Sequence, residues 1–537
     1  YLALTAKLGG DLTSLAPLNP GVDYLYAPGF GVTVAYLSER LSLPLHSVQF
    51  GLGAALALWV VMCAYDLGVL VGGRGLARAY TLAAMLGLGL FTAYMDSHYT
   101  SVFGLGMGLS FLCWLHLLMV PRDDVTDPWY DIAQSYTMLL IAAALSLAAL
   151  VLIHPDTTII IGMGYVVWLL TAPFGTPKAD ARGWLSAMFF VAPLAVLFLL
   201  PWFVSVYHLL GADIVSPFER DITYWRVALG VPPQILYQGI LILPLALYGA
   251  WVGLRRRDQT TLLGLGWLLL VLDFAAFGLI EGALPHFLAS IVSRYDYPFS
   301  IAWHGPIIPF IMLGGTGLWA LWEAFYDRAT VYDPTADPEQ EQSAPRLIGY
   351  SVLIIILSVV LLAGTAHRDV LAFSKARGVN FFGAFSSFAD VQAMLWLRTH
   401  TPQDALILNF PGPQEGDWVP VISERESVYY RPQPFFQHVD GTPPLGETER
   451  QIALRAFWED PANNDNGLLL LRYGVDYIIV PQVVGNPDSF ESHFRWRRPF
   501  TDDFNIQSSI NGANYLRPVY NLNGARIYAL DFQYVAR

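Results

Sequence analysis

Runs of apolar residues long enough to cross a bilayer constrain this chain more than any other feature. Covering a hydrocarbon core of about 30 Å takes about 20 helical residues. Runs of that order lie at Val48–Val71, Ala79–Tyr94, Ser101–Val120, Ser135–Ile153, Thr157–Phe174, Trp184–Tyr207, Ile235–Leu254, Leu262–Ile280, Ile301–Trp322 and Ile348–Ala366. They predict a polytopic α-helical membrane protein of about ten spans. The composition agrees: the chain is 55% hydrophobic and 14% charged, with mean hydropathy +0.45, outside the ordinary soluble range.

Lys and Arg concentrate in cytoplasmic loops, and here they fall in alternate loops: Arg74 and Arg78, Arg122, Lys178 and Arg182, Arg255 to Arg257, Arg328 and Arg346. Asp123, Asp124, Glu339 and Glu341 make two of these loops locally acidic, but the rule counts basic residues. The intervening segments, among them Met95–Thr100, His154–Asp156, His208–Pro233, Glu281–Ser300 and everything after His367, then share the opposite face. The expected organisation is an extracytoplasmic first loop over residues 1–46, a transmembrane domain over 47–366 and an extracytoplasmic soluble domain over 367–537, all at the plasma (inner) membrane. A surface helix is expected within Tyr26–Leu43, and Tyr326–Arg346, rich in Pro and Glu, reads as a flexible linker. The chain opens on Tyr1 with no cleavable signal pattern, so the natural N-terminus is expected upstream.

The soluble part reads as a small α/β or α+β domain. Helices are predicted at Phe388–His400 and Gln451–Trp458, and strands at Ala405–Asn409, Val428–Tyr430, Val475–Val480 and Ala525–Asp531. Tyr473-Gly-Val-Asp-Tyr-Ile-Ile-Val fits a helix end, a Gly turn and a buried strand. The formal net charge of −13 argues against a nucleic-acid partner, which calls for a basic patch. Cys63 and Cys113 both lie in apolar runs, suggesting neither a disulfide framework nor a Cys-based metal site.

Chemistry-bearing residues gather at the ends of the runs. His286–Pro309 places Arg294, Asp296 and His304 at the edge of an apolar segment, where ionisable groups are costly and usually serve a pocket. One reading is an interfacial anchor, with Arg294 snorkelling among Tyr295, Tyr297 and Trp303. The other is an arginine that grips the phosphate of a lipid-linked substrate, since guanidinium matches phosphate oxygens in pairs. In Met95-Asp96-Ser97-His98-Tyr99, Asp96 and His98 offer a metal ligand or a substrate contact, while Asp96 and Ser97 equally suit helix capping. In Ile153-His154-Pro155-Asp156, Asp156 is expected as the N-cap, leaving His154 as a ligand contact or a structural histidine. Asp11 and Asp23 flank the Pro-rich start of the first loop, from which a carboxylate can reach a cavity mouth as general base. Residues 213–226 read as an amphipathic interface helix. Asp66 and Asp273, within or near spans, are the only features favouring a transporter, which calls for inverted repeats.

Together these stretches resemble the GT-C superfamily of polytopic glycosyltransferases, which includes protein mannosyltransferases, aminoarabinose transferases and oligosaccharyltransferases. YLYAPGFGVTVAYLSERL resembles the Tyr-Pro-Pro-Gly-Phe motif after the first outer loop, with Ala27 replacing the first proline. DSHYTSVFGLGMGLSFL resembles a Gly-His-Tyr loop, LIHPDTT a Leu-Thr-His-Pro motif, and SRYDYPFSIAWHGPIIP the late arginine segment. WLRTHTPQDA, from Trp396, resembles the start of the outer globular domain. The resemblance implies transfer of a sugar from a polyprenyl-phosphate donor to a glycan, lipid or protein acceptor on the non-cytoplasmic face, with inversion. It implies that Arg294 grips the donor phosphate, that His98, Tyr99, Asp96 and Tyr26 belong to the substrate pocket, and that His154 contributes to the cavity wall. Some relatives use a divalent cation, for which Asp96 is the one ligand suggested; none is assigned. The family's general base is an aspartate just after the first membrane helix. Here YLALTAKLGGDL resembles the stretch following that aspartate, so the expectation is a first helix and base lying upstream, or Asp11 as base. The alternative is an inactive GT-C-like scaffold or assembly subunit.

Overall fold

The computed structural model describes residues 2–10, 12, 27–95, 98–120, 136–207, 238–239, 242–274, 279, 301, 303–329, 388–410, 418–429, 449–482 and 508–535. The chain divides into two compact units, one of Tyr1–Tyr24, Gly31–Val48 and Val370–Arg537, the other of Leu25–Phe30 and Gln49–Asp369. Asp11, Tyr26, Asp96 and Arg294, together with the 213–226 segment and the run Ile348–Ala366, lie outside the described residues.

The first elements are α1 (Leu2–Lys7) and α2 (Gly29–Leu41), the latter inside the expected surface-helix region. The unit containing residues 49–369 is helical. Its elements are α3 (Leu45–Leu86), α4 (Leu88–Met95), α5 (Tyr99–Met119), α6 (Tyr136–Ile153), α7 (Pro155–Thr171), α8 (Ala181–Ser205), α9 (Ile242–Arg256), α10 (Gln259–Leu272) and α11 (Ile307–Ala329). Among the described residues, α3, α5, α6, α8 and the Ile307–Ala324 part of α11 are long and apolar enough to span a membrane, while α7 and α10 are shorter apolar helices. The 42-residue α3 is not one rod, because Gly73 sits at φ 80°, ψ −172°. A Cβ built on Gly68 would lie 2.5 Å from Ala77 Cα, whereas a straight helix would separate these residues by roughly 13 Å. The chain therefore doubles back at Gly73, between the predicted runs Val48–Val71 and Ala79–Tyr94. Helix α11 continues through Tyr326 to Ala329, so the start of the expected linker is helical. The apolar run simply extends its hydrogen-bonded ladder.

Backbone hydrogen bonds tie the connections into two opposite ends. At one end Asp180 N donates to Met119 O (2.7 Å), Thr176 N to Arg257 O (2.8 Å) and Gln259 N to Thr176 O (3.2 Å). Asp258 caps α10 by accepting from Thr261 N at 2.8 Å, and Arg256 pairs with Glu323 at 2.9 Å. At the other end His98, at the start of α5, meets His304, Gly305 approaches Val271 near the end of α10, and Gly29 abuts Leu152 beside the α6–α7 turn. In α8, the Ala187–Val191 turn is π-helical, and the Tyr165 hydroxyl donates to the Ala187 carbonyl. Such a turn disturbs the ladder, and a buried carbonyl needs a partner.

In the other unit, a five-stranded sheet has the order β2-β1-β3-β5-β4, from β1 (Leu406–Leu408), β2 (Glu426–Ser427), β3 (Tyr477–Val480), β4 (Leu516–Leu522) and β5 (Ala525–Leu530). Strands β2, β1 and β3 are parallel, and β5 pairs antiparallel with β3 and β4. The β4–β5 turn is Asn523-Gly524, both at positive φ (47° and 96°), the combination that matches strand twist in a two-residue hairpin. Side-chain alternation gives the sheet two apolar faces. Ile407, Ile479 and Ile527 pack with α12 (Phe388–His400) and α13 (Trp418–Ser423). Leu408, Ile478, Val480 and Tyr528 pack with α14 (Glu449–Glu459) and α15 (Asp465–Arg472). A mixed sheet between two helical layers is the observed form of the expected α/β or α+β domain. The strand predicted at Val428–Tyr430 lies two residues earlier, at β2; Val428 N still donates to Ile407 O at 2.9 Å.

Helix α1 belongs to this unit. Leu4 and Thr5 are buried, and Lys7 Nζ meets Glu424 Oε1 at 2.7 Å, with Arg398 3.2 Å from the same oxygen. Glu424, just past α13, has φ 53°, a position that glycine usually takes.

Candidate functional site

The turns at the 98/154/304 end of the helical unit carry the described candidates. His98 occupies the N-cap position of α5, with Val102 N donating to its carbonyl at 3.0 Å and its own N–H donating to Ala93 O at 2.9 Å. Asp96 and Ser97, read as possible caps, lie outside the described residues. The His98 side chain makes no cap hydrogen bond. The half-buried ring instead meets His304 edge to face, with centroids 5.0 Å apart and planes at 65°. His304 is fully buried.

Tyr99 is also buried, at 3% exposure. Its ring lies 5.8 Å from Tyr94, 6.1 Å from Phe50 and 6.3 Å from Phe30. It rests on Gly53, where a Cβ would approach the ring to 2.5 Å. The Gly-Phe that begins α2 is thereby joined to the His-Tyr that begins α5. A Cβ on Gly29 would come within 2.7 Å of Leu152 O, so the same helix start abuts the end of α6.

His154 caps α7. Its Nδ1 accepts from Thr157 N at 3.3 Å and lies 2.8 Å from Thr157 Oγ1. With Nδ1 accepting, the ring proton of the neutral imidazole resides on Nε2. Asp156, expected as the cap, lies in the first turn, where its charge complements the helix dipole. Pro155 fixes the first helical position, leaving the histidine before it as the residue able to reach the free amides. Thr157 in turn packs against Gly104 of α5, where a Cβ would lie 2.7 Å from Thr157 Cβ. Small residues on α5 let α7 approach closely, as in membrane helix pairs generally.

A polar strap fixes the approach to α11. Gln238 Nε2 donates to Trp303 O at 2.9 Å, and Leu88 N donates to Gln238 O at 2.9 Å. Gln238 is buried, and sequence reasoning did not single it out. Its only signal was a polar residue beside glycine within an apolar run. His304 was read only as an ionisable group at a span edge; its partner is remote in sequence. Among the described residues no three His, Cys, Asp or Glu side chains come together as a metal site.

Residues 12–531 match DUF6541, a family of unknown function. The chain belongs to this DUF6541 family. No curated protein matches it in sequence. Among solved structures, it resembles apo ArnT from Cupriavidus metallidurans with TM-score 0.51 and 11% identity, over 99% of this chain and 92% of that one. ArnT bound to undecaprenyl phosphate gives TM-score 0.49 and 12% identity, over 98% and 92%. The archaeal oligosaccharyltransferase AglB from Archaeoglobus fulgidus, in complex with an inhibitory peptide and a dolichol-phosphate, gives 0.47 and 11%, over 99% and 69%. The DUF6541 chain thus has the fold of the polytopic GT-C membrane proteins.

Proposed function

We propose that this DUF6541 protein transfers a sugar from a polyprenyl-phosphate donor to an acceptor on the non-cytoplasmic face of the membrane. The observation that carries the reading is the placement of His98, Tyr99 and His154, candidates from two GT-C-like motifs, at one end of an apolar helical unit. ArnT, whose fold it shares, has been seen with undecaprenyl phosphate bound.

On this reading the acceptor oxygen attacks the anomeric carbon from the face opposite the leaving group. The bond from that carbon to the phosphate oxygen breaks with inversion, and the electron pair leaves on the phosphate. A carboxylate takes the acceptor proton, and Asp11 is our candidate. Arg294 grips the departing phosphate, whose charge is the main electrostatic demand. His98 and Asp96 line the donor side with Tyr26. Tyr99 and His154 hold the helix starts that form the wall.

The test is incubation of purified protein with a panel of radiolabelled polyprenyl-phosphate sugars. Label should leave the lipid with wild type, and at a rate lower by about 100-fold or more with Arg294→Ala. A folded protein that neither binds nor turns over any donor would make the scaffold reading the better one.

A further inference from the structure

We infer that the basic end of α9 and the loop after α7 bind the headgroup of an anionic phospholipid, with Arg255, Arg257 and Lys178 around the phosphate and Trp251 and Phe174 beside the first methylenes. This site is separate from the donor site proposed above and lies at the opposite end of the helical unit. The first ground is the backbone. Asp258 N donates to Gly253 O at 2.9 Å and Arg257 N to Leu254 O at 3.2 Å, the paired bonds of a Schellman ending. That ending puts Arg257 at φ 53°, a conformation in which glycine is unstrained. The turn therefore does not account for an arginine there. Thr176 N donates to Arg257 O at 2.8 Å, and Gln259 N to Thr176 O at 3.2 Å, which draws the loop carrying Lys178 alongside.

Charge and exposure are the second ground. The Arg255 guanidinium lies over the Trp251 ring, 4.0 Å from its centroid. Stacking holds the cation in place while its N–H groups stay available to phosphate oxygens. The neighbouring carboxylates have other partners. Glu323 pairs with Arg256 at 2.9 Å, Asp258 accepts from the hydroxyls of Thr260 and Thr261, each at 2.7 Å, and Asp180 accepts from Gly183 N at 3.0 Å. Arg255, Arg257 and Lys178 are exposed and make no ion pair among the described residues. The third ground is the apolar surface that leads up to them. Leu247, Trp251 and Leu254 form an exposed stripe at helical spacing toward Arg255, and Phe174, two residues before Thr176, is 73% exposed. Aromatic side chains followed by cations mark headgroup depth, and basic pockets between spans take anionic headgroups. A stripe that ends in unpaired cations matches a molecule with acyl chains at one end and a phosphodiester at the other. A soluble anion would use only the cations.

The experiment places the full chain in phosphatidylcholine nanodiscs with increasing phosphatidylglycerol and reads protein-bound lipid by native mass spectrometry. Wild type should retain phosphatidylglycerol in preference to phosphatidylcholine. Arg255→Gln, Arg257→Gln and Lys178→Gln should each weaken that preference about fivefold, and Trp251→Leu about threefold. Arg257→Gly relieves the left-handed strain, so it should lose the preference without lowering the thermal midpoint in pure phosphatidylcholine. Arg74→Gln with Arg78→Gln removes two cations from the α3 turn, which reaches the same end through Tyr80 donating to Thr260 at 3.1 Å, and should leave the preference intact. An equal loss in that variant would reveal a diffuse positive surface and overturn the site. So would absence of preference in folded wild type. Midpoints lowered in pure phosphatidylcholine by the glutamine variants, with preference unchanged, would reduce the cations to complements of the helix end and overturn it as well. Inorganic phosphate that displaces the bound phosphatidylglycerol would overturn the lipid assignment. None of these outcomes bears on the donor reading.

Discussion

Glu424 occupies a backbone conformation that suits glycine, yet its carboxylate collects two cations. For an L-residue the left-handed region costs about 1 kcal/mol, and the Lys7 and Arg398 contacts return an amount on the order of 1 kcal/mol. Glu424→Gln keeps the strain and loses the charge, so it should lower stability by about 1 kcal/mol. Glu424→Gly loses both and should stay close to wild type. In either variant the amides of Leu2–Lys7 should exchange faster with deuterium. Unchanged protection of α1 would mean that Leu4 and Thr5 alone hold it. At His154 two roles are separable in the same way. His154→Ala removes the α7 cap and should cost about 1 kcal/mol, and His154→Asn, which caps well, should restore the thermal midpoint. Donor turnover that recovers along with it would reduce His154 to its cap.

Helices α2, α5 and α7 share a design in which a small residue lets a bulky neighbour seat a helix start. Gly53→Ala places a methyl group 2.5 Å from the Tyr99 ring and should destabilise the helical unit by about 1–3 kcal/mol through overpacking. A thermal midpoint unmoved from wild type would mean that the aromatic cluster yields at no cost. Elements of this kind differ in how far sequence reveals them. Helix α12 was legible to the residue because Ala389, Ala393, Met394 and Leu397 repeat at helical spacing. Strand β4 was not, because Pro518 and a register shift between Pro518 and Tyr520 interrupt its alternation. The turn motifs drew attention to His98, Tyr99 and His154, but a motif carries no information about which remote ring a side chain meets. The cap of α7 was misread for a related reason: histidine is outside the usual capping set, and only the geometry around Pro155 shows that it reaches the amide.

The unit that holds the sheet makes a prediction about the molecule's tolerance of alkali. Tyr429 donates to Gln451 O at 2.7 Å and Tyr515 to Pro461 O, and burial pushes both phenols above the ordinary tyrosine value. Below about pH 10 both groups are protonated whether the chain is folded or not, so their contribution is fully present. As pH rises further the unfolded chain ionises first, and stability falls until the folded pKa is passed. Unfolding by denaturant at about pH 8.5 and about pH 11 should show this loss, and Tyr429→Phe with Tyr515→Phe should flatten it. An identical loss in the double variant would assign the alkaline sensitivity to other groups.

The Lys7–Glu424 contact joins residues separated by 417 positions, and that separation sets a clock on biosynthesis. At typical translation rates the ribosome needs on the order of 20–80 s to travel that far. Throughout that interval α1 has been made but its counter-charge has not, while every apolar run between them is being threaded into lipid. A segment made before all of those runs is therefore among the last to find its place. Any factor that shields nascent helices would meet α1 during that minute of waiting.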